Sequence, residues 1–83
     1  MKRIVDHYQV LQVQQSSSKQ QIRDSYRKLA IIEHPDRSTA VDATRRFQIV
    51  NDAFVVLSND RNRREYDAER RSASLYNPLD GQD

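Results

Sequence analysis

Lys19-Gln20-Gln21-Ile22-Arg23-Asp24-Ser25-Tyr26-Arg27-Lys28-Leu29-Ala30-Ile31-Ile32-Glu33-His34-Pro35-Asp36 is the stretch on which the fold turns. Its apolar residues Ile22, Tyr26, Leu29 and Ala30 fall at i, i+4, i+7 and i+8, one buried stripe of an amphipathic helix. Lys19, Arg23 and Arg27 recur every four residues on another face and stack into a basic ridge, beside which Asp24 and Lys28 are spaced for an i,i+4 ion pair. Ser17 with Gln20, or Ser18 with Gln21, fits a capping box at the start of the helix. At the other end a residue before proline is driven out of the α region, so the helix stops at His34. The spacing predicts a helix over 19–33 that ends abruptly in His34-Pro35-Asp36.

Working outward, residues 34–40 read as a polar loop and 41–57 as a third helix. The stripe of that helix is Ala43, Phe47, Val50, Phe54 and Leu57, widened by Ala53 and Val56, a seam suited to packing on the preceding helix as an antiparallel hairpin. Ser58 is placed to cap a short last helix over 59–67, which frays through Arg71. Asp60 with Arg64, Arg61 with Glu65 and Asp67 with Arg71 are spaced there as i,i+4 pairs. Upstream, residues 6–13 with Tyr8, Leu11 and Val10 predict a helix of two turns, too short to stand alone. Residues 1–5 read as a lead, and 68–83, polar with Pro78 and the single glycine Gly81, as a flexible tail or the start of a linker.

The expected fold is therefore all-α: two long antiparallel helices flanked by a short N-terminal and a short C-terminal helix. The expected core is Tyr8, Leu11, Ile22, Leu29, Ala30, Phe47, Val50, Ala53, Phe54 and Leu57, with Tyr26 among the aromatics that join the helices.

Composition narrows what such a domain can do. Eighty-three residues, 36% of them hydrophobic, allow one small domain with a thin core and no enclosed substrate cavity. There is no Cys, so no disulfide is available, and with only His7 and His34 neither a zinc staple nor any other metal or cofactor is expected. A net charge of +2 from interleaved charges is a small excess for nucleic-acid binding, and Arg45-Arg46 with the arginines of 61–71 lack aromatics placed to stack on bases. No apolar run has the length of a membrane span, and Met1-Lys2-Arg3-Ile4-Val5 has no apolar run behind its basic residues. The expectation is a monomer without a small-molecule substrate, in the cytoplasm, with the nucleus as the alternative.

A cationic helix face running into a proline-stiffened loop that carries a histidine and a carboxylate is a docking surface with charge and geometric specificity. An enzyme reading, with His34 as a general base oriented by Asp36, lacks a nucleophile or phosphate loop to accompany it. At this point the sequence resembles the J-domain, or DnaJ-like, family over residues 6–67. Asp6-His7-Tyr8-Gln9-Val10-Leu11 is similar to the D-x-Y-x-x-L opening. Ile22-Arg23 with Ser25-Tyr26-Arg27-Lys28-Leu29-Ala30 is similar to the second-helix block, and His34-Pro35-Asp36 to the HPD signature. Residues 47–58 resemble F-x-x-I-x-x-A-[YF]-x-x-L-S, and Arg63 with Tyr66-Asp67 the closing R-x-x-Y-D.

The resemblance implies a co-chaperone that docks on the ATPase domain and linker of a DnaK-type heat-shock chaperone and stimulates its ATP hydrolysis. It implies that Asp36 accepts an arginine of that partner and that His34 and Pro35 shape the loop. Arg23, Arg27 and Lys28 would steer toward an acidic groove, with Tyr26 counted in the same surface. Four residues depart from the family's pattern. Gln12 stands where glycine is usual, Asp24 where a basic residue is common, Ile32 for a frequent lysine, and Glu33 for the aromatic before HPD. They leave open a second function, an interaction or scaffold module with weakened chaperone stimulation, which would have no need of the Asp36 carboxylate.

Overall fold

Along the chain run β1 (Lys2–Val5), α1 (His7–Val10), α2 (Lys19–Glu33), α3 (Ala43–Ser58), α4 (Asp60–Arg70) and β2 (Ala73–Tyr76). The structure is a computed structural model that describes residues 1–34, 36 and 42–80. Pro35, the expected start of the third helix at Val41, and Gly81 lie outside the described residues.

Local chemistry decides the helix ends. Of the two possible capping boxes, Ser18 and Gln21 form the real one: Gln21 N–H donates to Ser18 Oγ at 3.1 Å and Ser18 N–H to Gln21 Oε1 at 2.8 Å. Ser17 instead accepts from Gln14 N–H at 3.0 Å. α2 ends where expected, with His34 extended at φ −61°, ψ 132°. α4 is capped by Asn59, whose side chain accepts from Asn62 N–H at 2.9 Å, and not by Ser58, which closes α3. α1 is a single turn rather than two. It stops in a Schellman motif in which Gln12 N–H donates to the Gln9 carbonyl and Val13 N–H to the Tyr8 carbonyl. Gln12 takes φ 59° there, a left-handed conformation in which a side chain is costly.

α2 and α3 form the long hairpin. Tyr26 meets Asn51 and, seven residues on, Glu33 meets Arg46, so the partners run in opposite directions and the helices are antiparallel. Leu11, Ile22, Val50, Ala53 and Leu57 are fully excluded from solvent, and Tyr8, Val10, Leu29 and Tyr66 complete the core. Ala30, Phe47 and Phe54, also expected in the core, are only half-buried; Phe54 packs against it. Each fully buried Val, Leu or Ile contributes roughly 1.5–3 kcal/mol, which is how a domain without staples holds together.

The expected lead and tail are not free. β1 and β2 pair in parallel, with Lys2 opposite Ala73 and Val5 opposite Tyr76, so the helical body is the crossover that a parallel pair requires. Arg3 lies over the Tyr76 ring at 4.1 Å and Lys2 meets Glu69 at 2.6 Å. A two-stranded ribbon thus closes a helical fold whose sequence pattern shows only helices.

Candidate functional site

α2 presents Arg23, Arg27 and Lys28 to solvent, and none of their side chains makes an ion pair or hydrogen bond among the described residues. Lys19, expected in the same ridge, is drawn off to Asp60 on α4 at 3.3 Å. The expected pair between Asp24 and Lys28 does not form; Asp24 accepts from Gln20 at 2.8 Å. Because residues four apart stack along a helix, Arg23 and Arg27 lead through Ile31 to the turn that carries His34.

At that turn Asp36 N–H donates to His34 Nδ1 at 3.1 Å. Nδ1 acts as acceptor, so the neutral imidazole carries its proton on Nε2. The Asp36 carboxylate lies 3.8 Å from Nδ1 and its side chain is 90% exposed. The His34 ring stands edge-on to Phe47 at 5.1 Å between centroids. Phe47, expected in the core, is therefore a wall of the site. With Ala30, Ile31, His34 and Asp36 it lines an open apolar depression of about 410 Å³. Ile31 and the following Ile32 are exposed, at 55% and 63%.

Tyr26, expected among the docking residues, is taken up by helix packing. Its hydroxyl donates to Asn51 Oδ1 at 2.6 Å and its ring stacks on Phe54 at 4.1 Å. It joins α2 to α3, which is the core role also expected of it. Pro35 lies outside the described residues. Glu33 replaces a packing contact with an ionic one: Arg46 Nε and Nη2 donate to its two carboxylate oxygens at 3.0 and 3.2 Å. This hydrogen bond, outweighing burial, holds the Arg46 pKa above its ordinary value. Sequence reasoning missed the pair, and the one available signal was the mismatch of Glu33 with its expected aromatic. Arg45, whose expected alternative was nucleic acid, lies 3.9 Å from Asp42 and donates to the Pro78 carbonyl at 3.5 Å.

The opposite end is a polar lock. Arg63 donates to the Gln15 and Ser17 carbonyls at 3.0 and 2.7 Å and to Tyr8 Oη at 3.1 Å, while Tyr8 donates to Asp67 at 2.6 Å. Tyr66 donates to the Val5 carbonyl at 2.6 Å and accepts from His7 N–H at 2.9 Å. Burial first, then the Asp67 carboxylate, raises the Tyr8 pKa. Arg63, Tyr66 and Asp67 thus tie the last helix to the body.

Residues 6–67 match the family model described as the DnaJ domain. The chain is similar to the chaperone protein DnaJ of Chlorobium limicola, 51% identical over 63 residues that cover 75% of this chain and 16% of that protein. It is similar to chaperone protein dnaJ 72 of Arabidopsis thaliana, 39% identical over 88 residues, 90% of this chain and 48% of that protein. DnaJ homolog subfamily B member 12 of Mus musculus is 40% identical over 67 residues, 81% of this chain and 18% of that protein. The chain spans less than half the length of each of these relatives. With the family model covering residues 6–67, most of the chain, the chain belongs to the DnaJ-domain family.

Proposed function

We propose that this domain docks on the ATPase domain and linker of a DnaK-type chaperone and stimulates ATP hydrolysis there, doing no chemistry itself. The observation that carries the reading is the pairing of three cations on α2, without partners among the described residues, with an outward carboxylate at its end. Arg23, Arg27 and Lys28 attract an acidic groove and raise the rate of encounter. Asp36 then accepts a guanidinium of the partner, a charge-assisted bond that demands close placement. His34 and Pro35 set the position of that carboxylate. Stimulation follows by linkage: the domain binds the hydrolysis-competent arrangement of the chaperone better than the alternative, and its binding energy shifts the population.

The test is single-turnover ATP hydrolysis by a DnaK-type chaperone with the native chain and with Asp36→Asn. The native chain accelerates hydrolysis. The variant, equally helical by circular dichroism, loses stimulation by about tenfold or more, the scale of a charge-assisted bond of roughly 1.5–3 kcal/mol. A native chain that stimulates none of several such chaperones overturns the reading in favour of a scaffold module.

A further inference from the structure

Glu33 and Arg46 lie beside the docking surface and join three separate segments. Glu33 is the last residue of α2 and is followed directly by His34. Arg46 lies one turn into α3 and is followed by Phe47. Two consecutive residues of α3 therefore grip two consecutive residues at the end of α2: Arg46 holds Glu33 by a two-pronged ion pair, and Phe47 holds the His34 ring. The paired side chains are 27% and 13% exposed, so solvent and salt screen them less than a surface pair. α2 has no basic residue in its last turn, and Arg46 brings a cation to the end where the helix dipole favours one.

The third segment arrives from the far terminus. Arg46 Nη1 donates to the Leu79 carbonyl at 3.3 Å. Leu79 packs against the core, and residues 77–80 are folded into a turn in which Leu79 N–H donates to Asn77 Oδ1 at 2.9 Å and Asp80 N–H to the Asn77 carbonyl at 3.1 Å. One guanidinium is thus shared between the base of the docking loop and the C-terminal segment.

We propose that Glu33 and Arg46 are positioning residues for His34 and Asp36, and that the turn at residues 77–80, through the Leu79 carbonyl, sets how firmly Arg46 holds them. The C-terminal segment is then a control point for the docking loop. The activity readout of this idea rests on the docking function above; its spectroscopic readout does not.

The experiment follows the backbone amide of Asp36 and the imidazole nitrogens of His34 by NMR, with the tyrosine signals of Tyr8 and Tyr66 as a distant control. Arg46→Gln moves the Asp36 and His34 signals and leaves the control signals in place. Glu33→Gln, which keeps shape and loses charge, does the same and stands in should Arg46→Gln fail to fold. Asn77→Ala, which opens the distal turn, moves the same signals in the same direction by a smaller amount. Exchanging the charges, Glu33→Arg with Arg46→Glu, restores the Asp36 signal, yet the exchanged carboxylate has no donor for the Leu79 carbonyl, so Asn77→Ala no longer moves it. In the chaperone assay Arg46→Gln lowers maximal stimulation by about fivefold, at the low end of coupling between linked sites, with half-saturation changed much less. Asp36 and His34 signals that stay put in Arg46→Gln and Glu33→Gln overturn the positioning role, and signals unmoved in Asn77→Ala overturn the C-terminal control. Movement of these signals in the variants, together with a native chain that stimulates no chaperone, supports the positioning role while the docking function fails.

Discussion

The two ends of the helical body use the same residue types for opposite purposes. At the end where α1 meets α4, Arg63, Tyr8, Asp67 and Tyr66 spend their polar atoms on one another and on loop carbonyls. At the end where α2 turns, Arg23, Arg27, Lys28 and Asp36 leave theirs to solvent. The polar inventory is similar, yet one end ties α4 to the body and the other leaves its charges at the surface. Burying a polar group is costly unless it is satisfied, whereas a charge left without a partner costs little at the surface, where water solvates it.

Two arginines test this contrast most strongly. Arg63→Ala removes the donors to the Gln15 and Ser17 carbonyls and to Tyr8. A hydrogen bond to a charged group is worth roughly 1.5–3 kcal/mol, so the loss should reach about 3 kcal/mol and lower the melting temperature by well over 10 °C. A melt lowered by only a degree or two would show that the lock does not hold this end. Arg27→Gln should be the reverse, with stability within about 0.5 kcal/mol of native. Its half-saturating concentration in the chaperone assay should rise about fivefold at low salt, and less at high salt, as expected of a steering charge. Equal salt dependence in native and variant would remove Arg27 from the docking face.

A third change sharpens the comparison within the stabilising end. Gln12 holds the left-handed position that closes α1. Gln12→Gly should stabilise the domain by about 1 kcal/mol, because glycine adopts that conformation without the side-chain penalty. Thermal melts would read it, with no change expected in chaperone stimulation. Unaltered stability would mean that the Gln12 side chain compensates for its backbone.

How far these features can be read in advance depends on the range of the interaction. α2 is legible to the residue because capping box, stripe and proline stop all act within a few positions. Gln12 is legible as an oddity only against the family's pattern, which has glycine there. The β ribbon is not, since Lys2-Arg3-Ile4-Val5 and Ala73-Ser74-Leu75-Tyr76 are too short to show a period and become strands only by meeting each other. The pair of Glu33 and Arg46 depends on hairpin register across a loop, which no local pattern encodes. Tyr26 and Phe47 show a subtler limit: an apolar stripe names the face that packs, but not which of its residues sits at the rim. Of the candidate site, the exposed placing of Arg23, Arg27, Lys28 and Asp36 on and just after α2 was legible; the diversion of Lys19 to Asp60 and of Asp24 to Gln20 was not.

The smallest effect separates the two ends by pH. His7 packs on Tyr66 at 4.7 Å, and its Nδ1 is buried without a hydrogen-bond partner among the described residues. Burial lowers its pKa below 6.5, against the opposing pull of Asp52, Asp6 and Glu69. In the unfolded chain the imidazole returns to its ordinary value, so just below pH 6.5 the unfolded state binds more protons than the folded one. The His7 contribution to stability is therefore complete above pH 6.5, declines as pH falls toward the folded pKa, and levels off beneath it. Urea unfolding at steps between pH 7.5 and 5 should show this decline, and His7→Gln, which cannot take up the proton, should flatten it. An unchanged slope in His7→Gln would assign the acid sensitivity to other groups, among them the carboxylates of Asp67 and Asp6 at the same end.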